Sequence, residues 1–306
     1  MSNQIKFNRA AFGAIATVAA LGIAAPQVSA QDNTIEIDGS STVFPITEAM
    51  AEEFMGENPG VRVTVGVSGT GGGFSKFCNG ETQISGASRP IKDSEVQACA
   101  DAGIEYVEIP VAFDAITVVV NPENTWATEM TTEELAMLWE PAAEGTVTMW
   151  SDVNSSWPEE RISLFGPGTD SGTFDYFTEE IVGEEGASRA DYTASEDDNI
   201  LVLGVSRDAN ALGYFGMSYY LENQNSLKAV AVNGVVPSPE TVEENEYTPL
   251  SRPIFIYVRT DSLANDENVS AFVEYYLDNA TDIVPEVGYV AFSEDRYDDL
   301  IRELGL

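Results

Sequence analysis

Three segments of this chain combine hydroxyl side chains with glycine. They are Gly39-Ser40-Ser41-Thr42-Val43-Phe44-Pro45, Val67-Ser68-Gly69-Thr70-Gly71-Gly72-Gly73-Phe74 and Phe165-Gly166-Pro167-Gly168-Thr169-Asp170-Ser171-Gly172-Thr173-Phe174. Each follows a strand-like pattern and opens a helix-like one. A helix N-terminus presents unpaired N–H groups and the positive end of a dipole, which suits an oxyanion. Ser and Thr hydroxyls add donors, and Gly lets the backbone approach closely. One such turn is ordinary helix capping; three in one chain point to an oxyanion site. The third lacks the G-K-[ST] ending of a nucleotide-binding P-loop.

A cation is the natural fourth part. Arg89, in Ala87-Ser88-Arg89-Pro90-Ile91, directly follows an apolar strand in a chain with only 14 Lys and Arg. A guanidinium binds a tetrahedral oxyanion in bidentate fashion. The competing reading is a surface salt bridge among 51 Asp and Glu. Catalysis is disfavoured. With no His, a Ser–His–Asp triad is impossible. The nearest look-alike to a nucleophile elbow, GVSGT, breaks the G-x-S-x-G spacing. The acids are scattered rather than clustered as metal-dependent phosphatase chemistry requires. The expectation is a binding protein, not an enzyme, with no metal and no cofactor.

These loops need strands and helices to hold them, and the chain alternates the two. TIEIDG (34–39), VRVTVGV (61–67) and TQISGAS (82–88) read as strands. FPITEAMAEEFMGEN (44–58), GGGFSKFCNG (71–80) and SEVQACADAG (94–103) read as helices. IEYVEIPVAF and ITVVVNP follow as two further strands. A second block begins near residue 120, with a helix over TTEELAMLWE capped by Thr131 or Thr132, a strand over RISLFG, and a helix over SGTFDYFTEEIVG. DNILVLGVSRD, ALGYFG, LKAVAV and PIFIYV read as helix and three strands, and the C-terminal region as helices. This alternation predicts an α/β fold with a mostly parallel sheet. No Pro/Gly-rich linker separates the blocks; the boundary falls on a strand near 115–122, and a second crossing near 250–258 returns the chain.

Residues 1–30 are read as a secretory signal peptide. Lys6 and Arg9 precede an apolar run over residues 10–25, then Pro26 and Val28-Ser29-Ala30, with cleavage near Ala30. The alternative, a membrane anchor, meets a run short for a bilayer span. No Cys precedes the cleavage site, so no lipid anchor is expected, and the free protein is placed in a periplasm. Removing this segment leaves 12 basic and 51 acidic residues, a net charge of -39. Such charge repels nucleic acid and anionic membranes. Disorder does not explain it, because 43% of residues are hydrophobic and 10% aromatic. An acidic surface adapted to high salt does, since salt screens self-repulsion. Cys78 and Cys99 form an even pair in an oxidising compartment, which predicts one disulfide, with two buried thiols as the alternative.

GSSTVFP, SGTGGGF, SGASRP and GPGTDSGTFDYF, in that order, resemble the phosphate-binding proteins of Pst-type ABC importers. FDAITVVVNP and ALGYFGMSYY extend the resemblance over nearly the whole mature chain. The family implies a type II periplasmic-binding fold: two α/β lobes joined by two crossing strands, with the ligand cleft between them. Lobe one would comprise 31–117 plus 253–306, and lobe two 118–252. It implies a monomer that captures inorganic phosphate and delivers it to a permease and ATPase complex. Carried over by motif, the phosphate residues are Ser41, Thr42 and the Val43 N–H in the first loop. Ser68 and Thr70 follow in the second, whose register can slide by one position. Ser171, Gly172 and Thr173 come from the third. One well-known branch has Asp at the Arg89 position, and an Arg shortly before SGT where this chain has Pro167-Gly168. The resemblance therefore moves the cation to Arg89. The displaced carboxylate is assigned to Asp114, with Asp170 the alternative; it would accept the phosphate proton and disfavour sulfate. Asp114 as a salt-bridge partner of Arg89 or a plain hinge residue stays open, as does another tetrahedral oxyanion or a phosphate sensor without a transporter.

Overall fold

The computed structural model describes residues 33–169 and 171–306; the expected signal segment and Asp170 lie outside them. Its architecture follows from where the apolar runs sit. Strand β4 (Tyr106–Val120) is buried almost without interruption from Ile109 onward. A strand buried on both faces belongs in the middle of a sheet. β4 occupies that position in the order β2-β1-β3-β11-β4-β8-β6-β7, with β9 also on β4. Here β1 is Thr34–Gly39, β2 Arg62–Val67, β3 Ile84–Ala87, β6 Ser163–Pro167, β7 Thr193–Ser195, β8 Ala211–Gly216, β9 Lys228–Ala229 and β11 Ser251–Arg259. A small second sheet pairs β5 (Glu129–Met130) with β10 (Ala231–Val232).

The sheet is parallel at its two ends and antiparallel at its centre. β1 runs parallel to β2 and β3, and β6 parallel to β7 and β8. β11 runs antiparallel to both β3 and β4, and β4 antiparallel to β8. The expected parallel sheet is thus two parallel groups joined by two crossing strands. The handover is sharp. Residues 106–115 of β4 pair with β11, ending at Ala115 opposite Ser251, and Ile116 then pairs with Gly216 of β8. IEYVEIPVAF and ITVVVNP, expected as separate strands, are one. Asp114 does not break the strand, because its register partner across the sheet is Arg252.

Helices α1 (Phe44–Glu57), α2 (Gly69–Cys78) and α3 (Asp93–Ala102) follow β1, β2 and β3 in turn. On the other parallel group, α4 (Thr132–Trp139) is capped by Thr131, whose side chain accepts from the Glu134 N–H. After the short helix α5 (Trp150–Val153), α6 (Gly172–Phe177) runs on into a π-helical turn over Thr178–Val182. Helices α7 (Asp198–Arg207), α8 (Met217–Glu222) and α9 (Pro239–Glu243) complete this side, and α10 (Thr260–Asn265), α11 (Glu267–Asp278), α12 (Ala280–Glu286) and α13 (Glu294–Leu304) close the chain. None of the described helices is long and apolar enough to cross a membrane.

Cys78 and Cys99 are joined as a disulfide, both buried, with 21 residues of separation. It ties the end of α2 to α3. Closing a loop of this length contributes on the order of 3 kcal/mol by restricting the unfolded chain. The tie also fixes the two elements whose N-terminal ends carry the second hydroxyl-rich loop and the partner of Arg89.

Candidate functional site

The first loop forms where β1 ends. Gly39 adopts φ 153° against the Gly86 backbone, and the Ser40 N–H donates to Gly86 O at 2.9 Å. Ser40 then organises the turn: its Oγ accepts from the Thr42 N–H (3.1 Å) and its carbonyl from the Phe44 N–H (3.1 Å). The Val43 N–H between them has no acceptor among the described residues. Pro45 sits in the first turn of α1, where its missing N–H costs nothing.

The third loop meets the first. Ser171 caps α6, its Oγ accepting from the Thr173 N–H at 3.2 Å. That leaves its own O–H free to donate. Gly172 opens the helix so close to the first loop that a Cβ there would lie 3.9 Å from Thr42 Oγ1. Two helix starts from opposite ends of the sheet therefore face each other. Between them lies a cavity of about 150 Å³ lined by Ser41, Thr42, Thr70, Gly172, Asp175 and Arg252, among others. A second of about 310 Å³ shares Ser41, Thr42, Gly172 and Asp175 and adds Asp114, Ser171, Thr173 and Tyr289.

The second loop divides its residues. Thr70 faces the cleft and is pinned there, its Oγ1 accepting from the Ser88 N–H at 3.2 Å and lying 3.1 Å from Ser88 Oγ. Ser68 turns away and donates to Asp38, which also takes Lys76 Nζ at 2.6 Å. Neither Ser68 nor Val43 lines the cleft; the side chain of Val43 is buried behind it.

The cation in the cleft is Arg252, not Arg89. Arg89 lies in a bidentate bond to Glu95 (2.9 and 2.8 Å), with its guanidinium 5.8 Å from the Phe74 ring. The Glu95 hydrogen bond raises the Arg89 pKa. Arg252, the second residue of β11, gives two N–H bonds, of 3.1 and 3.0 Å, to one oxygen of Asp114. Its guanidinium stacks 3.8 Å above the Tyr176 ring, whose hydroxyl is anchored on Pro249 O at 2.7 Å. Ring and carboxylate together hold the planar group in one orientation over the cavity. Asp114 is the salt-bridge partner of this Arg rather than of Arg89. Burial raises the Asp114 pKa, against the opposing pull of Arg252. Asp175 is raised as well, by burial and then by Glu185 and Glu179. Among the described residues no group of three or more His, Cys, Asp or Glu could hold a metal.

What this assembly offers chemically is a set of converging hydroxyl, N–H and guanidinium donors, with the carboxylates of Asp175, Glu179 and Glu185 also on the cavity wall. A model of the PBP superfamily domain matches residues 24–280. The phosphate-binding protein PstS of Staphylococcus haemolyticus is 36% identical over 274 residues, covering 87% of this chain and 84% of that protein. The chain belongs to the PstS-like proteins of the PBP superfamily. SphX of Synechocystis sp. is 52% identical over 281 residues, 90% of this chain and 84% of that protein. The crystal structure of a possible phosphate binding protein from Planctomyces limnophilus superposes with a TM-score of 0.81 at 47% identity, covering 89% of this chain and 97% of that one.

Within this PstS-like chain, sequence reasoning missed Arg252, Tyr176, Asp175 and Ser88. One signal was present. Ser251-Arg252-Pro253 repeats the Ser88-Arg89-Pro90 triplet at the second crossing strand. The rest become visible only when β11 is laid beside β4.

Proposed function

We propose that this PstS-like protein captures inorganic phosphate in the cleft between Thr42 and Gly172 and hands it to an ABC importer. The observation that carries this reading is the convergence of two helix starts and one fixed guanidinium on the same small cavity. Hydroxyl and N–H donors act strongly at short range in a site from which water is largely excluded. The field of the acidic outer surface is screened within about 8 Å at physiological ionic strength, so the acids that bear on the ligand are those at the cavities themselves, Asp114, Asp175, Glu179 and Glu185. Ser41, Thr42, the Val43 N–H, Thr70, Ser171, Gly172 and Thr173 supply the donors, and Arg252 the charge. Arg89 braces the loop that carries Ser88, which in turn holds Thr70. Asp114, made more basic by burial, reads the phosphate proton.

The finer assignments belong to the same reading. The signal peptide is cleaved near Ala30, the mature protein is a periplasmic monomer, and its partner is a permease with its ATPase. Lobe one comprises 31–117 and 253–306, lobe two 118–252. The acidic surface suits high salt.

Titration calorimetry with phosphate and sulfate, in molar salt, tests the function. Phosphate is expected to bind at least ~100-fold more tightly, because sulfate has no proton to give the Asp114 oxygen that Arg252 does not occupy. Equal affinities would reassign the site to tetrahedral oxyanions in general. Absence of both would refute it.

A further inference from the structure

Asp175 faces the cleft from α6 and has no partner there. It lies four residues after Ser171, so the two share a helix face, and its N–H donates to Ser171 O at 3.2 Å. It lines both cavities at which the first and third loops meet. Its carboxylate takes no hydrogen bond and no ion pair among the described residues. Glu179 and Glu185, the other carboxylates of the smaller cavity, are exposed, whereas Asp175 is half-buried.

The charges around it are unbalanced. The cation on the cavity wall is Arg252 of β11, and its two bonds to a carboxylate go to Asp114 of β4. Burial, then Glu185 and Glu179, raises the Asp175 pKa. The remaining titratable neighbours are Tyr176 of α6, Tyr214 of β8 and Tyr289, and burial raises all three hydroxyls and keeps them neutral. An ionised Asp175 would meet a phosphate oxygen as acceptor against acceptor, with like charge on both. A proton between the two oxygens turns that repulsion into a short charge-assisted bond, as when two carboxylates share one site.

We propose that Asp175 is a second proton-reading residue of this site, so that the complex holds two protons, one between phosphate and Asp114 and one between phosphate and Asp175. The inference rests on phosphate capture in this cleft. Dihydrogen phosphate beside a carboxylate and hydrogen phosphate beside a carboxylic acid contain the same protons and count as one titrating state. Free phosphate brings both protons below its second ionisation, which falls near neutrality; above it, the second comes from solvent. Apparent affinity is therefore level below that point and falls about tenfold per pH unit above it. A complex holding the Asp114 proton alone behaves in the opposite way. It is level above neutrality and weaker below, where free phosphate must first lose a proton.

Calorimetric titration of the mature chain with inorganic phosphate, in molar salt and between about pH 6 and about pH 9, separates the two. Affinity is expected to fall about 10- to 100-fold across that range. Near the upper end, buffers of different ionisation enthalpy should report uptake of about one proton per phosphate bound. Asp175→Asn is expected to abolish the uptake, invert the profile and bind phosphate at least about tenfold more tightly than the unsubstituted chain near pH 9, because an amide donates to the bare oxygen. Should Asp175→Asn fail to fold, the buffer comparison on the unsubstituted chain carries the test. Affinity that holds level or rises with pH, or an unchanged slope in Asp175→Asn, overturns the inference and leaves phosphate capture standing. No binding at any pH overturns the capture reading, and the inference with it.

Discussion

Arg252→Ala is expected to weaken phosphate binding by about 100- to 1,000-fold, the loss typical of truncating one partner of a buried charge pair. Two effects add. The charge-assisted bonds to the ligand disappear, and Asp114 is left buried without its partner. An uncompensated carboxylate beside a dianion repels it, so the loss exceeds that of removing one neutral donor. Arg252→Lys restores the charge but not the planar group that stacks on Tyr176, so recovery is expected to be partial. Arg89→Ala is expected to cost less than about 10-fold, because Arg89 spends its bonds on Glu95. Calorimetry on the three variants ranks them. The reverse order would return the ligand-binding cation to Arg89.

Gly39→Ala is expected to destabilise the protein by roughly 3–5 kcal/mol, among the larger effects of a single substitution. An added Cβ would meet the O, N and C atoms of Gly86, all closer than 3.0 Å, and those atoms belong to a paired strand that cannot step aside. The φ of 153° adds strain for any L side chain. Because Gly39 starts the first loop, the displaced turn also misplaces Ser41 and Thr42. Urea unfolding should show a lowered midpoint with unchanged slope, and phosphate affinity should fall in parallel. Normal stability would mean that the β1–β3 approach does not set the loop.

Much of the candidate site was legible because its parts obey local rules. Strand, hydroxyl-glycine turn and helix follow one another within a dozen residues. Ser41, Thr42, Thr70, Ser171, Gly172 and Thr173 could therefore be named from spacing and resemblance. Arg252 could not be ranked, because its partner is Asp114, 138 residues away. Only the antiparallel register of β11 on β4 brings them together. Asp114 also misled the strand reading, since an acid in an apolar run looks like a break until its cation is known. Ser68 was ambiguous for a different reason: a run of glycines fixes no register, and the acceptor that takes Ser68, Asp38, lies on another strand. The antiparallel centre was hidden likewise, as long-range strand order leaves no local trace.

The central claim is that phosphate sits where the first and third helix starts face each other. A crystal structure of the mature chain grown with phosphate tests it most directly. Phosphate oxygens are expected within hydrogen-bond distance of the Thr42 and Ser171 hydroxyls, N–H groups at the starts of α1 and α6, and the Arg252 guanidinium. Phosphate bound elsewhere, or held by Arg89 with Arg252 still committed to Asp114 alone, would contradict it.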